Sequence, residues 1–64
     1  ALKTEQARGA YSTARYYEKR RRWKAALIYY NEAVIKDPDS SYAQVAKQRM
    51  EAIRKEHAQP TAQK

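Results

Sequence analysis

Small and apolar residues recur along this chain at intervals of three and four, the period of an amphipathic helix and not of a strand. From Thr4 the series Ala7, Ala10, Tyr11, Ala14 and Tyr17 falls on one face. It predicts a first helix over 5–19, with Thr4 as candidate cap and Glu5 beside the positive helix end. The run Arg20, Arg21 and Arg22 interrupts the face, and Trp23 opens a second series of Ala26, Leu27, Tyr30, Ala33 and Val34. Pro38 closes that series, because the residue before a proline is biased away from helical angles, so the second helix is expected to stop near Lys36. Tyr42, Val45, Ala46, Arg49, Met50 and Ile53 predict a third helix reaching about Lys55. Ser40 or Ser41 would cap it, Ser41 and Gln44 standing at capping-box spacing.

Two facing stripes joined by a short connection predict an antiparallel helical hairpin followed by a third helix, an all-α fold. The hairpin with a short lead would occupy 1–40, the following helix 41–56, and a flexible tail 57–64, where the apolar period ends and Pro60 appears. The centre of this organisation is the stretch 26–38, where Ala26 and Ala33 flank the large ring of Tyr30 on one stripe. Small residues on either side of a ring make a docking surface for another helix.

Composition adds constraints. One glycine in 64 residues fits helix, and the absence of cysteine excludes disulfides and thiolate metal sites from these residues. An alanine-rich core in so short a chain is marginal, so a piece of a longer chain or a self-associating unit is expected. No run approaches the ~20 apolar residues of a membrane span, and the first residues carry no apolar signal core. Net charge is +7, from 14 Lys and Arg against 7 Asp and Glu. Six of those cations fall between Arg15 and Lys24 with only Glu18 to offset them, which favours partners of negative surface.

No catalytic, cofactor or metal site is expected. His57 is the single histidine and has no patterned carboxylates nearby, and Asp37 and Asp39 flank a proline, where turn formation explains them. There is no glycine-rich phosphate loop. Tyr11, Tyr16, Tyr29 and Tyr42 sit at the stripe edges, where a ring with a hydroxyl suits a wet interface. The cations around Trp23 carry an alternative reading as a basic module for nucleic acid or anionic surfaces. A structural oligomerisation piece, pairing through the third helix, is a second alternative.

Ala14, Tyr17, Trp23, Ala26, Tyr30, Ala33 and Pro38 stand at spacings that resemble a tetratricopeptide repeat, a 34-residue helical hairpin. Two positions depart from that pattern: Ala10 replaces a large residue of the first helix, and Arg21 replaces the glycine between the helices. An arginine there must accept a left-handed conformation or let the turn rearrange. The resemblance implies a part of an α-solenoid with a groove lined by Arg8, Tyr11, Arg15, Glu18 and Lys19 from the first helix and Tyr42, Val45 and Arg49 from the third. Such a groove would receive an acidic or C-terminal segment of a protein or peptide, but not through the carboxylate clamp of the best-known repeats, whose asparagines are missing at these places. It also makes Trp23 the aromatic that closes the hairpin, which removes it from base stacking. The competing account of Arg8, Arg15 and Lys19 is a plain solvated face. Residues 14–53 also resemble the C-terminal repeats of BamD-type bacterial outer-membrane assembly lipoproteins. That likeness implies a periplasmic scaffold helping to insert β-barrels, held at the outer membrane by an anchor outside these residues.

Overall fold

The computed structural model describes residues 2–57, which form three helices and no strand. They are α1 (Leu2–Lys19), α2 (Trp23–Lys36) and α3 (Ser41–His57). The periodicity placed all three, and the differences lie at their ends. α1 begins at Leu2 and not at Glu5, so Thr4 lies inside the helix and is no cap. Its Oγ1 instead donates to Asp37 Oδ2 at 2.9 Å, tying the start of α1 to the end of α2. The two helices therefore run antiparallel.

The α1–α2 turn resolves the question raised by Arg21. Its N–H donates to the Glu18 carbonyl at 3.0 Å and the Arg22 N–H to the Tyr17 carbonyl at 2.9 Å, the paired bonds of a Schellman turn. Arg21 takes the left-handed position with φ 62°. A side chain there costs on the order of 1 kcal/mol relative to ordinary helical angles. α2 then starts without a side-chain cap and without an acidic residue in its first turn.

Ser40, and not Ser41, caps α3. Its Oγ accepts the Ala43 N–H at 3.1 Å and donates to the Asp37 carbonyl at 2.9 Å. The Gln44 N–H goes to the Ser40 carbonyl at 3.3 Å, so the Ser41–Gln44 capping box is replaced by a cap one residue earlier. α3 continues two residues past Lys55 to His57, whose ring stacks on Trp23 at 3.8 Å and 7°. The first position of the expected 57–64 tail is thus helical and packed. The rest of that tail, with Pro60, lies outside the described residues.

The core is built from Ala7 and Ala14 on α1, Ala26, Tyr30 and Ala33 on α2, and Ala43, Ala46, Met50 and Ile53 on α3. Alanine lets the helix axes approach closely, and Tyr30, 0% exposed, is the large ring that fills the space between them. Ala10, Tyr11, Tyr17, Trp23, Leu27 and Val34 pack around this centre, half-buried. Pro38 stays exposed in the α2–α3 turn. A Cβ added at Gly9 would meet nothing within 4 Å, so this glycine reflects tolerance and not a close helix contact.

Candidate functional site

Helix α3 lies beside α1 and runs in the same direction, because Tyr42 in the first turn of α3 meets Tyr11 at the middle of α1, and Arg49 meets Glu18 further along both. The side chains between these contacts define a groove. Tyr11 is its central ring, 5.8 Å from the Tyr30 ring and 5.6 Å from the Tyr42 ring, both tilted. Tilted pairs at these distances are favourable beyond the area they bury.

Glu18 forms the floor and links all three helices. Its Oε1 accepts the Tyr30 hydroxyl at 2.5 Å and Arg49 Nε at 3.3 Å, while Oε2 accepts Arg49 Nη2. The Glu18 side chain is only 13% exposed and that of Arg49 is 44% exposed. Burial alone would raise the Glu18 carboxyl. The hydrogen bonds from Arg49 and Tyr30, with the charges of Arg49 and Arg15, outweigh it and hold the group below its ordinary value. The Tyr30 phenol is pushed up, by burial first and then by the neighbouring carboxylate it must donate to. Arg49 is held more firmly protonated by its hydrogen bond to Glu18.

Two hollows open above this floor. One, about 460 Å³, is lined by Tyr11, Arg15, Glu18, Lys19, Trp23 and Arg49. The other, about 490 Å³, is lined by Arg8, Tyr11, Ser12, Arg15, Tyr16, Lys19 and Tyr42. They share Tyr11, Arg15 and Lys19, so they form one groove along α1. Seven of the eight residues expected there line it. Val45 does not: it is 36% exposed on α3 and outside the lining.

The structure also divides the seven by role. Glu18 and Arg49 neutralise one another in the floor, so neither presents an uncompensated charge to a ligand. Arg8 pairs with Glu5 at 2.5 Å on the exposed surface, and Arg15 donates to the Tyr11 hydroxyl at 3.4 Å with its guanidinium over the same ring at 5.9 Å. Lys19 has no ion pair among the described residues. Ser12 and Trp23 line the groove without having been expected there, and Tyr16, expected only as an interface ring at the stripe edge, lines it too. Ser12 and Tyr16 follow Arg8 at intervals of four, a signal that was present but weak, whereas Trp23 enters only because the turn folds back.

Of the edge tyrosines, Tyr16 is 54% exposed with the Arg20 guanidinium 5.2 Å from its ring centre. Tyr29 stacks on Tyr17 at 5.5 Å and 10°. No group of three or more His, Cys, Asp or Glu side chains among the described residues converges as a metal site would require. Among the described residues no helix is long and apolar enough to cross a membrane. The groove offers rings with hydroxyls, hydrogen-bonding cations and a neutral floor, which is the chemistry of a binding surface. Comparison with family models, with curated proteins and with solved structures finds no match to this chain.

Proposed function

We propose that the chain is a tetratricopeptide-type hairpin with the first helix of a further unit, and that it serves as a protein-binding scaffold whose groove receives an extended acidic peptide. One observation carries the reading: the groove floor is neutralised internally by Glu18 and Arg49, while Arg8, Arg15 and Lys19 stand along its α1 wall. The three cations rise by about 10 Å and then about 6 Å along the helix axis. An extended peptide advances ~3.3 Å per residue with successive side chains on opposite faces, so two carboxylates two residues apart meet Arg15 and Lys19 from one face. Aromatic hydroxyls between them suit its backbone groups. The resemblance to envelope assembly lipoproteins supports placing this scaffold in the bacterial periplasm, at the outer membrane, in the assembly of β-barrel proteins.

The test is fluorescence anisotropy with a labelled extended peptide carrying Glu at two positions two residues apart. The exchange R15E/K19E should weaken its binding by at least tenfold while far-UV circular dichroism is unchanged. An unaltered affinity would reduce these cations to solvated surface.

A further inference from the structure

The stacking of His57 on Trp23 brings together two basic segments that are distant in the chain. The last turn of α3, with Arg54 and Lys55, lies against the start of α2, so it shares one end of the molecule with Arg20, Arg21, Arg22 and Lys24 of the α1–α2 turn. All six cations are exposed. None has an ion pair among the described residues. The acidic residues of the neighbouring part of α3 are Glu51 and Glu56, the latter 3.9 Å from His57, while Glu18 is consumed by Arg49. Glu5, Glu32, Asp37 and Asp39 fall toward the opposite end, which the Thr4–Asp37 bond closes. The charge of the chain is thus polarised along the helix axes.

This end is not arranged for stability alone. Lys19, Arg20, Arg54 and Lys55 suit the negative ends of α1 and α3, but Arg22 and Lys24 crowd the positive end of α2, where acidic residues are the stabilising choice. α2 has neither an acid nor a side-chain cap there. Six like charges brought together at that cost are best explained by a multivalent anion outside the molecule.

We infer that this basic end docks on an anionic lipid bilayer. The shape and the rings decide between bilayer and nucleic acid. Single-stranded nucleic acid is held by aromatic faces open to bases, yet one face of Trp23 is stacked on His57 and the Tyr16 ring, 54% exposed, already carries the Arg20 guanidinium. The cations occupy a turn and a helix end, a tip and not a channel, which fits a flat charged plane. Docking through the tip leaves the groove along α1 open, so the surface is additional to the peptide site.

Flotation with vesicles of 30% phosphatidylglycerol in phosphatidylcholine, set against pure phosphatidylcholine, tests the inference on the 64-residue chain. Arg21 is left intact because its left-handed φ would confound a substitution. Each cation near an anionic surface contributes about fivefold to binding, so R20Q/R22Q/K24Q should weaken binding on the order of a hundredfold and R54Q/K55Q by more than tenfold. Raising salt from 50 to 300 mM should release the protein. Circular dichroism verifies that each variant is folded, and R8Q/R15Q, which alters only the groove, should bind vesicles as the parent does. The inference is overturned by equal binding to both vesicle types, by an unchanged R54Q/K55Q variant, or by tighter binding to duplex DNA than to the anionic vesicles at the same salt.

Discussion

Removing the carboxylate of Glu18 should unfasten the three helices from one another. In Glu18→Ala the Tyr30 hydroxyl, on a side chain 0% exposed, loses its acceptor, and an orphaned buried donor costs about 1–3 kcal/mol. Arg49 loses its bidentate partner, but at 44% exposed it recovers water, so that loss is about 1 kcal/mol or less. The sum is roughly 1–4 kcal/mol, against a total stability of about 3–10 kcal/mol for a chain of this size. Thermal unfolding followed at 222 nm should show Tm lower by about 5–30 °C. Glu18→Gln keeps an acceptor for Tyr30 and should lose about half as much. In a double-mutant cycle with Tyr30→Phe, the pair should couple by at least about 1 kcal/mol, because the phenylalanine leaves no donor to orphan. Additive effects in that cycle, or a Tm change under about 3 °C in Glu18→Ala, would refute the reasoning. The pH dependence follows from the lowered carboxyl. The stabilisation is fully present above the ordinary value of 4.5 and is lost as pH falls through the lower value of the folded chain. Glu18→Gln should flatten that acid limb.

Three further outcomes are expected. Arg21→Gly should raise stability by about 1 kcal/mol in urea melts, since glycine takes φ 62° without steric cost. Gly9→Ala should also stabilise, by up to about 1 kcal/mol, because the added methyl enters open space on a helix; a loss would mean a contact there. Ala26→Arg or Ala33→Arg should abolish cooperative unfolding, as both sites are 0% exposed at a close helix contact; full helicity in either variant would count against the docking stripe.

What the sequence disclosed was whatever depends on a single helix. The period of three and four located α1, α2 and α3, and the stripe of Ala26, Tyr30 and Ala33 is buried as read. The groove residues came from the resemblance to a tetratricopeptide repeat, and those of α1 that it names do line the hollows. What stayed hidden depends on how two helices are set against each other. Glu18 and Arg49 are 31 residues apart, and each alone reads as an exposed charge of an amphipathic helix; only the placement of α3 beside α1 makes them a pair. Thr4 was assigned to a local cap because its true acceptor, Asp37, lies 33 residues away. His57 looked like the start of a loose end because periodicity says nothing of the ring it meets.

Among the described residues six of the nine enclosed core positions are alanines, and a surface of methyl groups is nearly the same after a shift of one helical turn. Packing of this kind holds helices together without saying which residue faces which. The directional bonds at the two ends of the hairpin supply what the methyls lack: Thr4 to Asp37 at one end, and Glu18 with Tyr30 and Arg49 at the other, act as two pins through sliding plates. A slip of one turn would break both at once, so the polar pairs fix the register of a core that could not fix its own.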